Sequence, residues 1–426
     1  MEALSAVPLL LRLQGLLGLA AILGCAWLLS ERRASLPRAR WIAGALLLQF
    51  VLAVIVVRVP LIWEALRWGN EGIVALEQAT RVGSSYLFGY LGGGELPFEL
   101  RAGATRPVVI VFDILPLVIV TSAVAALLWH WGILSAIVRA LSWLTQRALG
   151  VGGAVGLSAG ANIFLGVVEA PLVVRAYLDR MSRAELFMVM TLGMSTVSGV
   201  VLILYASTLA TVIDNALGHL VAASIISLPA ALLVARIMVP EHTGQRTAGS
   251  TADLRFEGSI DAIVRGTMDG LQLFLAIVAI LLVVFALVAL TDQALAQLPA
   301  LDGAPLTLKR LFGIAFAPLL WLIGVPWSEA PVAGSLMGTK VILNEYVAYQ
   351  ELAALPAGLL GERSKLITVY ALCGFANLAS IGLLLSTIGA LAPARRAETA
   401  ALGWKSWVAG NLATAMTGAV IGIVGF

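Results

Sequence analysis

ANIFLGVVEAPLVVR, residues 161–175, decides how this chain is read. It places the carboxylate of Glu169 inside an apolar stretch and follows it at once with Ala170 and Pro171. Proline has no N–H to donate and crowds the preceding turn, so a helix is interrupted at the charge. A second such stretch, GTKVILNEYVAY at 338–349, carries Lys340, Asn344 and Glu345. Ionisable groups at membrane depth are costly and persist mainly where they line a solute or ion path.

The rest of the chain supplies the membrane. It is 60% hydrophobic and 12% charged, with a mean hydropathy of +0.97, where a soluble domain carries about 25% charged residues. Cys25 and Cys373 each sit in an apolar run, so no disulfide framework is implied. His130, His219 and His242 show no metal-ligand spacing. The net charge of +3 reflects basic loops and does not point to nucleic acid.

A helical span needs about 20 mostly apolar residues. Such runs occur at 9–29, 43–63, 108–138, 186–209, 217–239, 271–290, 366–391 and 407–426. The first reads as a span and not as a signal peptide, because Glu2 and no basic residue precedes it. Basic clusters mark cytoplasmic loops. They are Arg32, Arg33, Arg38 and Arg40; Arg139 and Arg147; Arg175, Arg180 and Arg183; Arg236, Arg246, Arg255 and Arg265; and Arg395, Arg396 and Lys405. All five share one side only if the N-terminus lies outside and the 161–175 segment enters and leaves from the cytoplasm as a re-entrant hairpin. The 338–349 segment then enters from outside, and Lys309 and Arg310 fall outside in a small breach of the rule. Residues 64–107 read as an interfacial helix and loop, and 139–150 as a second interfacial helix with Trp143 at headgroup level. Strands are not expected, because open sheet edges cannot be satisfied in lipid.

The halves mirror each other. Each hairpin precedes a span broken by small and polar residues, 193–199 (GMSTVSG) in the first half and 373–380 (CGFANLAS) in the second. Opposite entry sides make this an inverted repeat, and paired broken segments at mid-depth are the sequence mark of a secondary transporter's binding site. The expected fold is thus an all-α polytopic membrane protein with about eight transmembrane helices, two opposed re-entrant hairpins, an inverted repeat and interfacial helices. Its expected parts are 1–85 (two N-terminal spans); 86–150 (interfacial helix, third span and second interfacial helix, on a scaffold side); 151–239 (first hairpin, broken span and following span); 240–306 (cytoplasmic linker and scaffold span); and 307–426 (second hairpin, broken span and final span).

FGYL (88–91), EAPL (169–172), GVPW (324–327), the G-x-K-x3-N-E-[FY]-V-A pattern at 338–348 and ALCGFAN (371–377) resemble the concentrative nucleoside transporter family from about residue 86 to the C-terminus. The first 85 residues match in hydropathy only. The resemblance implies a homotrimer in a bacterial inner membrane. A mobile unit of both hairpins and both broken spans would slide, elevator fashion, against a scaffold that includes the third and sixth spans. It implies ribose contacts at Glu345, Asn377 and Ser380, with Phe375 packing beside the solute and Gly166, Val167, Val168, Glu169 and Val201 lining the same site. It implies a sodium site from the Asn162 and Thr196 side chains with carbonyls near Leu165 and Val197. No further cofactor, no enzymatic activity and no nucleic-acid partner is expected; the partners are the bilayer and a nucleoside-like solute.

One departure stands out. The family usually carries Gly-Gln-[Thr or Ser]-Glu at the first hairpin tip, and the Gln and hydroxyl residues bond the nucleobase. Here the tip is Gly166-Val167-Val168-Glu169. A buried base edge left unpaired costs about 1–3 kcal/mol per group, so sugar recognition is expected to persist while base recognition is weakened or altered. The blander readings are these: Glu169 as a structural acid, Lys340 paired with a hairpin carboxylate, Asn162 as a helix cap, Thr196 bonded to its own helix, and Phe375 as packing. Asp113 and Asp269 read as interfacial or helix-terminal, and the Gly-rich 150–160 run as a place of close helix contact. The competing functions are a proton-coupled symporter, a passive channel and a solute sensor that does not transport. An intramembrane enzyme lacks a nucleophile or metal set.

Overall fold

The computed structural model describes residues 9–99, 109–167, 169–241, 247, 256–300, 303 and 305–425, and among these every regular element is helical. Two long apolar helices open the chain, α1 (Leu9–Leu28) and α2 (Ala39–Arg58). Pro60 ends the second run and begins α3 (Pro60–Phe88), so the expected span at 43–63 stops at Arg58 and the interfacial helix starts sooner. The third span is α4 (Ile110–Asp113) and α5 (Pro116–His130). It was expected to continue to 138, but Gly132 turns the chain with a φ of 82°, and the interfacial helix α6 (Ile133–Leu149) begins there. Glycine takes such a conformation without a Cβ penalty.

The first hairpin is α7 (Gly153–Ala161) and α8 (Glu169–Val173), joined by a tip at 162–168 of which Val168 lies outside the described residues. The Gly-rich run is therefore the hairpin's first arm. Gly160 of that arm seats against the Val138 carbonyl of α6, which supplies the close contact its composition implied. Nine helical residues rise only about 14 Å, half of the roughly 30 Å hydrocarbon layer. The broken span α9 (Arg183–Ser195) and α10 (Gly199–Leu209) follows, then α11 (Ala216–Met238).

The second half runs through α12 (Ser259–Leu295) and α13 (Leu308–Leu322), the latter not foreseen from the sequence. The second hairpin is α14 (Ala330–Ile342) and α15 (Glu345–Ala353). The second broken span is α16 (Glu362–Leu372) and α17 (Leu378–Leu391), and α18 (Arg396–Val424) closes the chain. Among the described residues seven stretches are long and apolar enough to cross a bilayer; the α16–α17 pair supplies the eighth crossing in two pieces. Asp269 is not helix-terminal as expected. α12 begins at Ser259, a dozen residues ahead of the apolar run, so Asp269 sits well inside it.

The hairpins are anchored at opposite ends. Arg395, before α18, donates to the Leu178 and Met181 carbonyls at one foot of the first hairpin (2.9 and 2.7 Å). At its other foot Ala154 N donates to the Thr247 carbonyl, and Thr247 N donates to Glu185. Glu31 joins this end through Arg183 and Lys405 (2.8 and 2.7 Å), and Arg236 lies 4.3 Å over the Trp41 ring. Arg183, Arg395 and Lys405, from three of the basic clusters, thus meet around the feet of the first hairpin. The second hairpin's feet meet the other end of α18. Arg363 bonds the Gly324 and Gly422 carbonyls, and Gly361 N donates to Glu329.

Two packing regimes separate the molecule. α11 is buried on nearly every side, with Leu232, Leu233 and Val234 fully enclosed, as a helix apolar all round must be. α12 shows lipid-facing side chains such as Leu282, 73% exposed, and meets α5 along a backbone seam. A Cβ on Gly266 would stand 2.7 Å from Ala126 Cβ, and one on Gly270 2.8 Å from Ile119 Cα. Small residues four apart let two backbones touch where lipid offers no hydrophobic drive.

Candidate solute and ion sites

The two breaks converge. Phe375 N donates to the Thr196 carbonyl (3.2 Å), and Gly374 leaves no room for a side chain against Met194 and Thr414. Gly199 N donates to the Phe164 carbonyl (3.0 Å), tying the first hairpin tip to the start of α10. Freed backbone groups at mid-membrane are thereby satisfied by each other.

Between them lies a cavity of ≈ 110 Å³. At one end stands Glu345, the first residue of α15 and 2% exposed. A carboxylate is favoured at a helix N-terminus by the unpaired N–H groups and the dipole there. Its neighbour Asn344 caps the same helix, its Oδ1 accepting from Val347 N at 3.0 Å. Both carboxylate oxygens are engaged: Tyr205 OH donates to Oε1 (2.6 Å) and Asn377 Nδ2 to Oε2 (3.0 Å). Asn377 in turn caps α17, its Oδ1 accepting from Ser380 N at 2.9 Å. One amide thus fixes the orientation of the helix, of Ser380 and of the carboxylate. Tyr205 stacks on Tyr346, ring centroids 6.1 Å apart.

Of the solute residues expected from sequence, Gly166, Val167, Val201, Glu345, Phe375, Asn377 and Ser380 line this one cavity. Val167, 5% exposed, presents an isopropyl group where the expected pattern has an amide. Val168 lies outside the described residues. For Glu169 only the backbone is described, opening α8. Lys340 departs from its expected carboxylate pairing. Its Nζ, fully buried, donates to Asn411 Oδ1 (2.6 Å), and Asn411 Nδ2 donates to the Ala376 carbonyl (3.0 Å). The ammonium therefore braces the second break through an amide on α18.

Sequence reasoning missed Tyr205, Tyr346 and Asn411, and also the wall of Leu273, Ala276 and Ile277 from α12. Tyr205 carried a signal: a phenol in a deeply apolar span needs a partner for its hydroxyl. The α12 wall carried none, since its residues are ordinary lipid-span residues.

The residues expected to hold a cation sit just behind the tip. Asn162 is 1% exposed; its Nδ2 donates to Ser158 O (2.8 Å) and is 3.1 Å from Ser158 Oγ. Its Oδ1 is buried and has no donor among the described residues. That oxygen lies 3.6 Å from where a Cβ on Gly193 would stand, one turn before Thr196. Thr196 Oγ1 donates to the Leu192 carbonyl (2.9 Å), which leaves its lone pairs to accept. Val197 is enclosed beside it, and Leu165 N bonds back to Ala161 in the tip. An orphaned amide oxygen near an unwound helix end is the donor type a hard monovalent cation takes, so these residues fit sodium.

Comparison with known proteins agrees with this geometry. Residues 17–91 and 219–422 match the N- and C-terminal models of "Na+ dependent nucleoside transporter", and residues 111–212 match a "Nucleoside recognition" gate model. The chain is 33% identical over 414 residues to the nucleoside permease NupC of Helicobacter pylori, covering 95% of this chain and 96% of that one. It is 35% identical over 420 residues to the uncharacterized transporter YutK of Bacillus subtilis, covering 96% and 99%. Among solved structures, CNTnw in an inward-facing substrate-bound state superposes with a TM-score of 0.86 at 37% identity, covering 96% of this chain and 98% of that one. Opposed hairpins, paired breaks and a polar chamber between them, matched along nearly the whole length, lead to one assignment: this chain is a membrane transporter for nucleosides and belongs to the concentrative nucleoside transporter family.

Proposed function

We propose that the protein imports nucleosides by sodium symport, with the sugar held by Glu345, Asn377 and Ser380 and the base end altered by Val167 and Val168. The observation that carries this reading is the uneven lining of this cavity: a clamped carboxylate from the second hairpin and an isopropyl group from the first tip. A site built to bond hydroxyls rejects analogues that lack them, whereas an apolar contact discriminates weakly. Sodium enters at Asn162 Oδ1 and the Thr196 hydroxyl, orders the first tip, and so completes the solute site. That linkage is the coupling.

The motion is of elevator type. α5 and α12, joined at Gly266 and Gly270, form the wall, and the hairpins with the broken spans carry the solute past it. The protein works as a homotrimer in a bacterial inner membrane with its N-terminus outside, the side that the basic clusters leave for it.

Uptake into proteoliposomes tests the reading. Accumulation against a gradient is expected with sodium and is lost when choline replaces it at fixed pH; equal uptake in both rejects sodium in favour of protons. Uridine competes weakly in the native protein, and Val167→Gln improves it by roughly tenfold, one regained hydrogen bond. Ordinary micromolar uridine affinity with base selectivity intact in the native protein rejects the altered tip.

A further inference from the structure

A second cavity of ≈ 140 Å³ adjoins the solute cavity, and both are lined by Gly166, Ser198 and Leu273. Both spaces therefore border the first hairpin tip. The second has flat apolar walls in Trp129, Phe164 and Phe256, and a single ionisable side chain among its described lining residues, Asp269. That carboxylate accepts no hydrogen bond and forms no ion pair among the described residues. Arg265, one turn earlier on α12, gives its Nε to Asp261 at 2.8 Å.

We propose that Asp269 is a base-reading residue: it accepts a hydrogen bond from the exocyclic amine of a nucleobase lodged between the two cavities, selecting cytosine and adenine nucleosides over uracil and hypoxanthine ones. This rests on the sugar being held at Glu345. A nucleoside held there by its sugar directs its base toward the first tip, where Val167 offers nothing to a polar edge. The base's faces suit aromatic and aliphatic walls, but its edge needs a partner, and of the α12 residues lining the second cavity, Gly266, Asp269 and Leu273, Asp269 is the one that can accept a hydrogen bond. Leu273, one turn further on, lines both cavities, so the helix that walls the solute site also carries the carboxylate. Its place is fixed, because the adjacent Gly270 is seated against Ile119 and Ser122 of α5.

The selectivity follows from the acceptor inventory. An ionised carboxylate only accepts. It meets an amine as a charge-assisted bond and opposes a carbonyl at the same ring position. Cytidine and uridine differ in this way, as do adenosine and inosine. Because Asp269 stands on the wall and the sugar groups stand on the hairpin and broken-span side, the base is read only while the solute faces this stretch of wall.

The test is equilibrium competition among cytidine, uridine, adenosine and inosine with the purified full-length protein in sodium. The native protein is expected to prefer cytidine to uridine and adenosine to inosine by roughly tenfold, the worth of one charged hydrogen bond. Asp269→Asn, whose amide both donates and accepts, brings each pair within about twofold while melting at the native temperature. Native-like preferences in Asp269→Asn, no preference in the native protein, or an equal loss of all four ligands each overturn the proposal. Glu345→Gln separates it from the sugar reading: if that variant binds all four as the native protein does, the sugar assignment is wrong, whatever Asp269→Asn does to the pairs.

Discussion

The two hairpin tips do opposite things with a similar task. The second turns through Leu343 and Asn344 alone, and Asn344 caps the arm that follows. The carboxylate beside it is gripped by a tyrosine from α10 and an amide from the second break. The first tip takes residues 162–168, turns Gly166 and the apolar Val167 to the cavity, and keeps an amide oxygen with no donor among the described residues. One tip is finished before any ligand arrives; the other keeps an acceptor that no described residue satisfies. A pre-organised group gives affinity and specificity because it needs no ordering on binding. An unfinished one gives coupling, because the ligand that completes it stabilises one arrangement over others.

The strongest way to break this comparison is Glu345→Gln. It removes the charge that Tyr205 and Asn377 hold in place, and the expected loss of nucleoside affinity is about 3 kcal/mol, over a hundredfold. Titration calorimetry reads it directly, and binding within tenfold of native would mean that the finished tip is not where the sugar is read.

A middle-sized test sets the two asparagines against each other by thermal shift. Asn344→Ala loses a helix cap worth about 1 kcal/mol, and its Tm falls by a few degrees with or without sodium. Asn162→Ala loses the oxygen proposed to take the cation. The native protein gains Tm as sodium is raised, as any specific ligand of the folded state requires, and Asn162→Ala does not. Equal sodium shifts in both variants would erase the distinction between the tips.

The smallest effect lies at the foot of the first hairpin. Glu31, hydrogen-bonded by Arg183 and Lys405, has its carboxyl held down to about 2. The folded value lies below the ordinary carboxylate value of about 4.3. Its stabilisation is therefore full above the ordinary value and is lost as pH falls toward 2. Glu31→Gln is expected to flatten the acid-side decline of Tm by about 2 °C between roughly pH 4.5 and 2. Superimposed curves would show that this ion cluster does not hold the foot.

Much of this was legible in the chain itself. Intramembrane charge marked both hairpins, beside proline in the first and beside Asn344 in the second, because such charge is strongly penalised elsewhere. The polar end of the cavity was legible because Asn344, Glu345, Asn377 and Ser380 lie in short contiguous motifs. Tyr205 was not, since its role depends on a carboxylate 140 residues away. Asp269 misled because a charge near the start of an apolar run looks terminal until the helix is seen to begin at Ser259. α13 was missed because its apolar run carries Lys309 and Arg310 at its start and Pro318 inside. Lys340 found an amide in place of an acid because the nearer carboxylate already had its donors.

Tyr205 belongs to the first repeat and Glu345 to the second, and Phe375 N reaches back across the same divide to Thr196. Neither repeat owns a complete binding surface. If the polypeptide were severed between α11 and α12 and the pieces made separately, each would fold around half a chamber. Solute recognition would then become a bimolecular property, rising with the concentration of the complementary fragment.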